Sequence, residues 1–420
     1  MRRRFLARCA ALLFFCTVPA TVTAQDARAQ AEDFDAMWRA IDEGYAYFDG
    51  SRAAWKRARD AWRPKAAAAK TRADFILALE GALAHLRDDH VRLSEQAPKS
   101  ARTVPAETDI WAAWRDGAAI VTAVRAFSEA DVAGLHPGHV VTHVEGIPVE
   151  RLVRERLRTL RASGAEAMDW ALRHLLAGPR HGAMRLTVQG ARGPATIEVE
   201  RSPPSLPSGP PLIARRMGDE RDVGYIRIKN VLGHPQLVQQ FDGALNYLKD
   251  TRALILDLRE TPDGGIRATT EALLSRFVEK SAPWQTREGP ARSRIVDSVA
   301  GTPTPYRGVL IVLVDRWTAG EGEALAAGLA AIARATLVGT PMAGLRGELR
   351  EVKLRHSGIT VRFPAQRALH VNGTPREALR PSVEVDLAAP SGGPGDPILY
   401  QALKIAEPSS PARGGRTDRR

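Results

Sequence analysis

The stretch Gly308-Val309-Leu310-Ile311-Val312-Leu313-Val314 carries no polar side chain on either alternating face. A strand of this kind cannot lie with one face in water; it has to be covered on both sides, which is the condition of a buried parallel sheet. Gly224 to Lys229 and Ala253-Leu254-Ile255-Leu256-Asp257-Leu258 repeat the pattern, and helical spacings fall between them over Gln236 to Leu248, Ala268 to Phe277 and Glu321 to Ala333, the last leading into Leu337-Val338-Gly339. Strand and helix in alternation predict an α/β unit from about residue 221 to 406. Ligands of such sheets bind beyond the carboxyl ends of the strands.

The chain before this unit reads as three further parts. Phe34, Met37, Trp38, Ile41 and Tyr45 recur at spacings of three and four, Pro64 is expected to break a second helix bearing Trp55 and Trp62, and Thr71 is placed to cap a third that buries Phe75, Leu79, Leu83 and Leu86. This predicts a helical domain over residues 25–97. Between 106 and 202, the run Ala118 to Val124 alternates like a strand, and Ser128 to Val149 reads as short helix, Pro-Gly turn, strand and glycine turn. The segment resembles a PDZ domain through Ala133-Gly134-Leu135, Pro137-Gly138 and Glu145-Gly146-Ile147-Pro148, with His139 in place of the usual aspartate. That resemblance implies peptide binding by strand addition. Pro203 to Pro211 cannot build a regular core element, so residues 203–220 are expected to be a linker, and 407–420 a disordered basic tail.

Arg2, Arg3, Arg4 and Arg8, the apolar stretch Cys9 to Val18 and the small-residue sequence Val22-Thr23-Ala24 read as a secretory signal over residues 1–24. About ten apolar residues are too few to cross a hydrocarbon core of about 30 Å, so no integral membrane segment is expected after cleavage. Both cysteines, Cys9 and Cys16, fall inside this segment, and the mature chain is then free of thiols. Disulfides and cysteine catalysis are excluded, and a periplasmic or secreted location is expected. The net charge of +12 includes four arginines of the signal and four of the tail. No basic run is interleaved with aromatics, so a nucleic-acid partner is not expected.

Two loops lie where the sheet rule places chemistry: Asp257-Leu258-Arg259-Glu260-Thr261-Pro262-Asp263-Gly264-Gly265 and Asp315-Arg316-Trp317-Thr318-Ala319-Gly320-Glu321-Gly322-Glu323. Taken alone, both could be ordinary strand-to-helix turns. A helix starting at Glu321 would point free N–H groups and a partial positive charge at a ligand. The ordered set is more specific: Leu86-Arg87-Asp88-Asp89-His90-Val91, Tyr225-Ile226-Arg227-Ile228, Leu256-Asp257-Leu258-Arg259 with its Gly-Gly, Thr318-Ala319 with Glu323, Val338-Gly339-Thr340-Pro341-Met342-Ala343-Gly344, and Arg380-Pro381-Ser382-Val383-Glu384-Val385. Together these resemble the tail-specific, or C-terminal-processing, serine peptidases, and within them the tricorn-like branch.

The resemblance implies a crotonase/ClpP-like spiral of ββα units, action on polypeptide C-termini or unfolded chains, and no cofactor or metal. It also implies a nucleophilic serine at the position held here by Gly320. The lysine of one branch has no counterpart in Gly344-Leu345-Arg346-Gly347, since a guanidinium stays protonated and cannot serve as a base. His90 matches the histidine of the tricorn-like branch, with Glu377 a looser match for its glutamate; His90 could equally cap a helix C-terminus. Backbone N–H groups of Gly264, Gly265 and Glu321 would form the oxyanion hole. Deleting a nucleophile costs about four to six orders of magnitude in rate, so impaired catalysis with retained peptide binding is expected. The alternative is a rerouted hydrolase using Thr318, or a water activated by His90 or Glu321. His136, His139 and His143 fall on a turn and a strand without sharing a face, and are not expected to bind metal.

Overall fold

The computed structural model describes residues 24–49, 52–201, 209–218, 220–229, 232–289, 293–389 and 395–407. The signal expected over 1–24 lies almost wholly outside them, as do most of Pro203–Pro211 and the tail.

The sheet predicted from the apolar runs orders its strands Val383–Glu384, Thr336–Gly339, Val309–Val314, Ala253–Asp257, Val223–Ile228 and Leu212–Met217. All neighbours are parallel except the last pair. Leu212–Met217 corrects the linker expected over 203–220: Leu212 to Met217 pair antiparallel with Ile228 to Val223, so the connecting segment ends by Pro211. Alternation explains the strand, since Leu212 is buried while Ile213 faces water at the sheet edge.

Both faces of the central strands are covered. Leu254, Leu256, Val312 and Val314 pack with Phe241, Leu273 and Leu325 from the helices Leu237–Tyr247, Arg267–Leu274 and Glu321–Ile332. Ile255, Ile311, Leu313 and Val338 pack on the other side with Ile398 and Ala402 of the helix Pro397–Ala406. Because neighbouring strands run parallel, the loops following Asp257, Val314 and Gly339 emerge side by side.

The N-terminal helices Ala24–Gly44, Arg52–Ala67 and Arg72–Leu83 bury Phe34, Met37, Ile41, Trp55, Phe75 and Leu79 against one another. Thr71 caps the third, accepting from the Asp74 N–H at 3.0 Å. Pro64 does not break the second helix as expected. It sits in the last turn, where only one ladder bond is lost, and the Ala68 N–H still reaches the Pro64 carbonyl at 3.0 Å.

From this bundle the chain enters a second sheet. Its strand Arg92–Leu93 pairs antiparallel with Val361 and Arg362 of the long strand Thr360–His370, which also pairs with Ala282–Glu288 and Glu348–Lys353. A third sheet contains Ile110–Arg115, Ala118–Val124, Val140–Val144, Met184–Gly190 and Gly193–Val199, with the helices Val149–Leu160 and Ala165–Ala177 on its apolar face. The architecture is mixed α/β with helices leading, as the sequence implies.

Candidate active site

The loop after Val314 turns back on itself before the Glu321–Ile332 helix starts. The Thr318 Oγ1 accepts from the Asp315 N–H at 2.9 Å and lies 3.0 Å from the Leu258 carbonyl oxygen. The Asp315 carboxylate takes the N–H of Trp317 at 2.9 Å, and the Ala319 N–H reaches the Thr261 carbonyl at 3.0 Å. Burial, then the nearby Glu260 charge, pushes the Asp315 carboxyl up to about 6. Thr318 is fully buried and its hydroxyl is spent inside the turn, not directed toward a substrate. The turn ends at Gly320 with φ 55° and ψ −115°, a conformation that L side chains adopt only under strain.

Glu323, one turn into the helix, ties this elbow to the loop after Gly339. Its carboxylate accepts from the N–H groups of Gly320 at 3.1 Å, Gly344 at 2.8 Å and Leu345 at 3.1 Å. The side chain is wholly buried, and burial pushes its carboxyl up to about 7, against the opposing pull of Arg376 and of those backbone donors.

The next residue in that loop completes the chain of contacts. The Arg346 backbone carbonyl lies 2.6 Å from His90 Nδ1. A carbonyl can only accept, so Nδ1 carries the proton and Nε2 presents its lone pair. Burial is the first cause holding the His90 imidazole below its usual range, which favours the neutral ring. This is the tautomer a general base needs toward a hydroxyl on Nε2. His90 does not cap a helix; the residue ending the short Ala84–Leu86 turn is Arg87, and the His90 N–H is held by the Asp88 carboxylate at 2.9 Å.

Nε2 points at the end of the Asp257 loop, 3.5 Å from Asp263 Oδ1. The Asp263 carboxylate also pairs with the guanidinium of Arg92. Burial first, then repulsion from Arg362, brings Arg92 down to about 10, still charged at neutral pH. Gly264 and Gly265 follow with φ 125° and 99°, and the Gly264 nitrogen lies 3.4 Å from the point where a Cβ on residue 320 would sit. The N–H of Glu321, in the first helical turn, has no acceptor within the helix. The Glu321 side chain turns away and accepts from the Thr270 hydroxyl at 2.5 Å, with its carboxyl raised mainly by burial. His90, Gly264, Gly265, Gly320 and Glu321 therefore converge.

Glu377 sits on the short turn Arg376–Ala378, its carbonyl 3.4 Å from the Cβ position of Gly344. Neither ring nitrogen of His90 bonds to it: one goes to Arg346, the other faces Asp263. The Glu377 carboxylate instead lies by Tyr47, whose phenol is held above its ordinary range by burial and then by that charge. Sequence reasoning missed Asp263, Arg92 and the Arg346 carbonyl. It also missed Arg376, which is buried and donates to the Gly347 carbonyl at 2.8 Å and to Glu348 at 2.7 Å, bracing the loop that holds His90. Arg92 stands two residues after a candidate base, but nothing in the sequence pairs it with Asp263.

Residues 222–386 match peptidase family S41, and residues 26–84 match the tricorn protease C1 domain. His90 lies between the two matched segments. A carboxyl-terminal-processing protease of Synechocystis sp. is 28% identical over 227 residues, covering 52% of this chain and 47% of the relative. The match thus spans about half the length of that relative. Among solved structures, the photosystem II D1 C-terminal processing protease shares 18% identity with a TM-score of 0.55, covering 85% of this chain and 93% of its own. Mature CPAF complexed with lactacystin shares 16% identity with a TM-score of 0.57, covering 85% and 94%. The matched core and helical lead-in agree with the sequence relative, and the solved structures share the fold: residues 222–386 of this chain carry a peptidase family S41 domain.

Proposed function

We propose that the chain is an exported family member that binds polypeptide C-termini or unfolded chains and is impaired in cleaving them. The observation that carries this reading is the pairing of a neutral, correctly tautomeric His90 with a helix-head residue, Gly320, that offers it no hydroxyl. Thr318 does not substitute, being buried and committed to the turn. The apolar stretch Cys9 to Val18 behind Arg2 to Arg4 supports export to the periplasm or beyond. Among the described residues no helix is long and apolar enough to cross a membrane. The sheet built on Ile110–Arg115 and Ala118–Val124 supports a PDZ-like role in taking up peptide.

The test is paired binding and turnover on the mature chain. Titration calorimetry with unfolded polypeptides and peptides carrying free C-termini is expected to register binding, while mass spectrometry of the same mixtures finds no cleavage above the uncatalysed background. Cleavage that vanishes in His90→Ala would overturn the reading; absence of binding to any such peptide would reduce the chain to a structural envelope protein.

A further inference from the structure

The position left by the missing serine is already filled from a neighbouring loop. A Cβ built on Gly320 would lie 2.5 Å from Asp263 Oδ1, closer than real Cβ contacts come, and 3.5 Å from the Asp263 Cα. The Asp263 side chain is only 4% exposed. Its Oδ1 is 3.5 Å from His90 Nε2, and its other oxygen pairs with Arg92. A buried carboxylate persists where a countercharge accompanies it. Arg92 supplies that charge here, two residues along the chain from the base.

We propose that Asp263 is an internal occupant of this pocket: its carboxylate covers His90 Nε2 and fills the space in which a nucleophile and a peptide carbonyl would meet. The proposal rests on the reading of residue 320 as the vacated nucleophile position. Two effects follow from placement alone. The side chain stands between His90 and the helix head, so a hydroxyl introduced at residue 320 collides with it. Its negative charge lies beside the Gly264 nitrogen, where a second, developing negative charge on a carbonyl oxygen would be opposed. The site is thereby closed twice over, and restoring the serine alone does not reopen it.

Covalent modification of His90 tests this without turnover. Diethyl pyrocarbonate transfers its ethoxycarbonyl group to a neutral imidazole nitrogen with loss of ethanol and carbon dioxide, and peptide mapping reads each histidine separately. In Asp263→Ala the His90 rate is expected to rise on the order of tenfold over the native chain. Exposed His181 and His234 serve as unchanged references, and buried His85 reports folding. In Asp263→Asn, which keeps the volume, His90 stays protected. An unchanged rate in the alanine variant, or exposure in the asparagine variant, overturns the proposal. Should reaction at His85 reveal that the alanine variant unfolds, Asp263→Ser, which retains an oxygen for Arg92, replaces it under the same criteria. A fluorophosphonate comparison adds a second arm. Gly320→Ser/Asp263→Ala is expected to label roughly tenfold faster than Gly320→Ser, and equal, measurable rates contradict the proposal. If neither serine variant labels, the His90 rates decide. Native-chain cleavage dependent on His90 would instead defeat the impaired-site reading, an outcome separate from either of these.

Discussion

At the scale of single residues, the candidate site is organised by one carboxylate and one carbonyl. Glu323 gathers the N–H groups of Gly320, Gly344 and Leu345, and the next carbonyl, that of Arg346, fixes the His90 tautomer. Burial pushes the Glu323 carboxyl from its ordinary 4.5 up to about 7 in the folded chain. The folded state therefore keeps this proton at pH values where the unfolded state has lost it. Its contribution to stability is fully present below the unfolded value, declines as pH rises and levels off above the folded one. Glu323→Gln removes this titration. From pH 5 to pH 8 the unfolding free energy of the native chain is expected to fall relative to that variant by on the order of 1–3 kcal/mol, followed by urea denaturation. A difference constant with pH contradicts the assignment. Gly320, His90 and the Gly264-Gly265 pair were legible in the sequence because each stands in a short local pattern. The Arg346 carbonyl was not, since a backbone atom leaves no mark on residue identity. Nor were Asp263 and Arg92, because with 60 basic and 48 acidic residues no pairing rule selects one couple.

At the scale of elements, the apolar runs announced the four inner strands of the central sheet with boundaries within a residue or two, because full burial on both faces leaves no room for polar side chains; the edge strands Leu212–Met217 and Val383–Glu384 carry no such run. The second sheet escaped notice for the opposite reason. Its strands Ala282–Glu288 and Arg294–Val299 carry Arg287 and Asp297, which pair with each other at 2.8 Å, and Gln285, which also donates to Asp297. Such strands are stabilised by polar networks that no hydrophobic period reveals. Where the central sheet turns toward the site, Gly339 has φ 142°, and a Cβ there would lie 1.9 Å from the Val314 carbonyl oxygen. Gly339→Ala must push apart the pair formed by Thr336–Gly339 and Val309–Val314, beneath the two loops that carry Gly320 and Arg346. It is expected to cost about 2–4 kcal/mol in chemical denaturation. A loss below about 1 kcal/mol would mean that the strands yield there without strain.

At the scale of the whole molecule, three units contribute to the surroundings of His90. The helical lead-in delivers the histidine and continues into Arg92–Leu93, which joins the second sheet. The third sheet docks through Val104, Trp111, Ala123 and Ala177 around Trp317, whose indole N–H donates to the Thr108 carbonyl at 2.7 Å. Its helix Ala165–Ala177 reaches both sides of the base, His174 meeting Asp89 at 2.7 Å and Glu166 meeting Arg346 at 2.6 Å. None of this docking was legible beforehand, because contacts between units depend on few residues far apart in the chain. Trp317→Ala removes the central docking side chain and one hydrogen bond. Scanning calorimetry is expected to show a loss of about 3–5 kcal/mol, or the third-sheet unit melting in a separate, earlier transition. An unaltered single transition would contradict the docking role of Trp317.

The central claim is that the family architecture surrounds a position without a nucleophile, and active-site labelling of the native mature chain addresses it most directly. Incubation with a fluorophosphonate, followed by intact-mass measurement and peptide mapping, is predicted to give no stoichiometric adduct, with the native chain indistinguishable from His90→Ala. A single adduct at Thr318 or any other hydroxyl, lost in His90→Ala, would contradict the account.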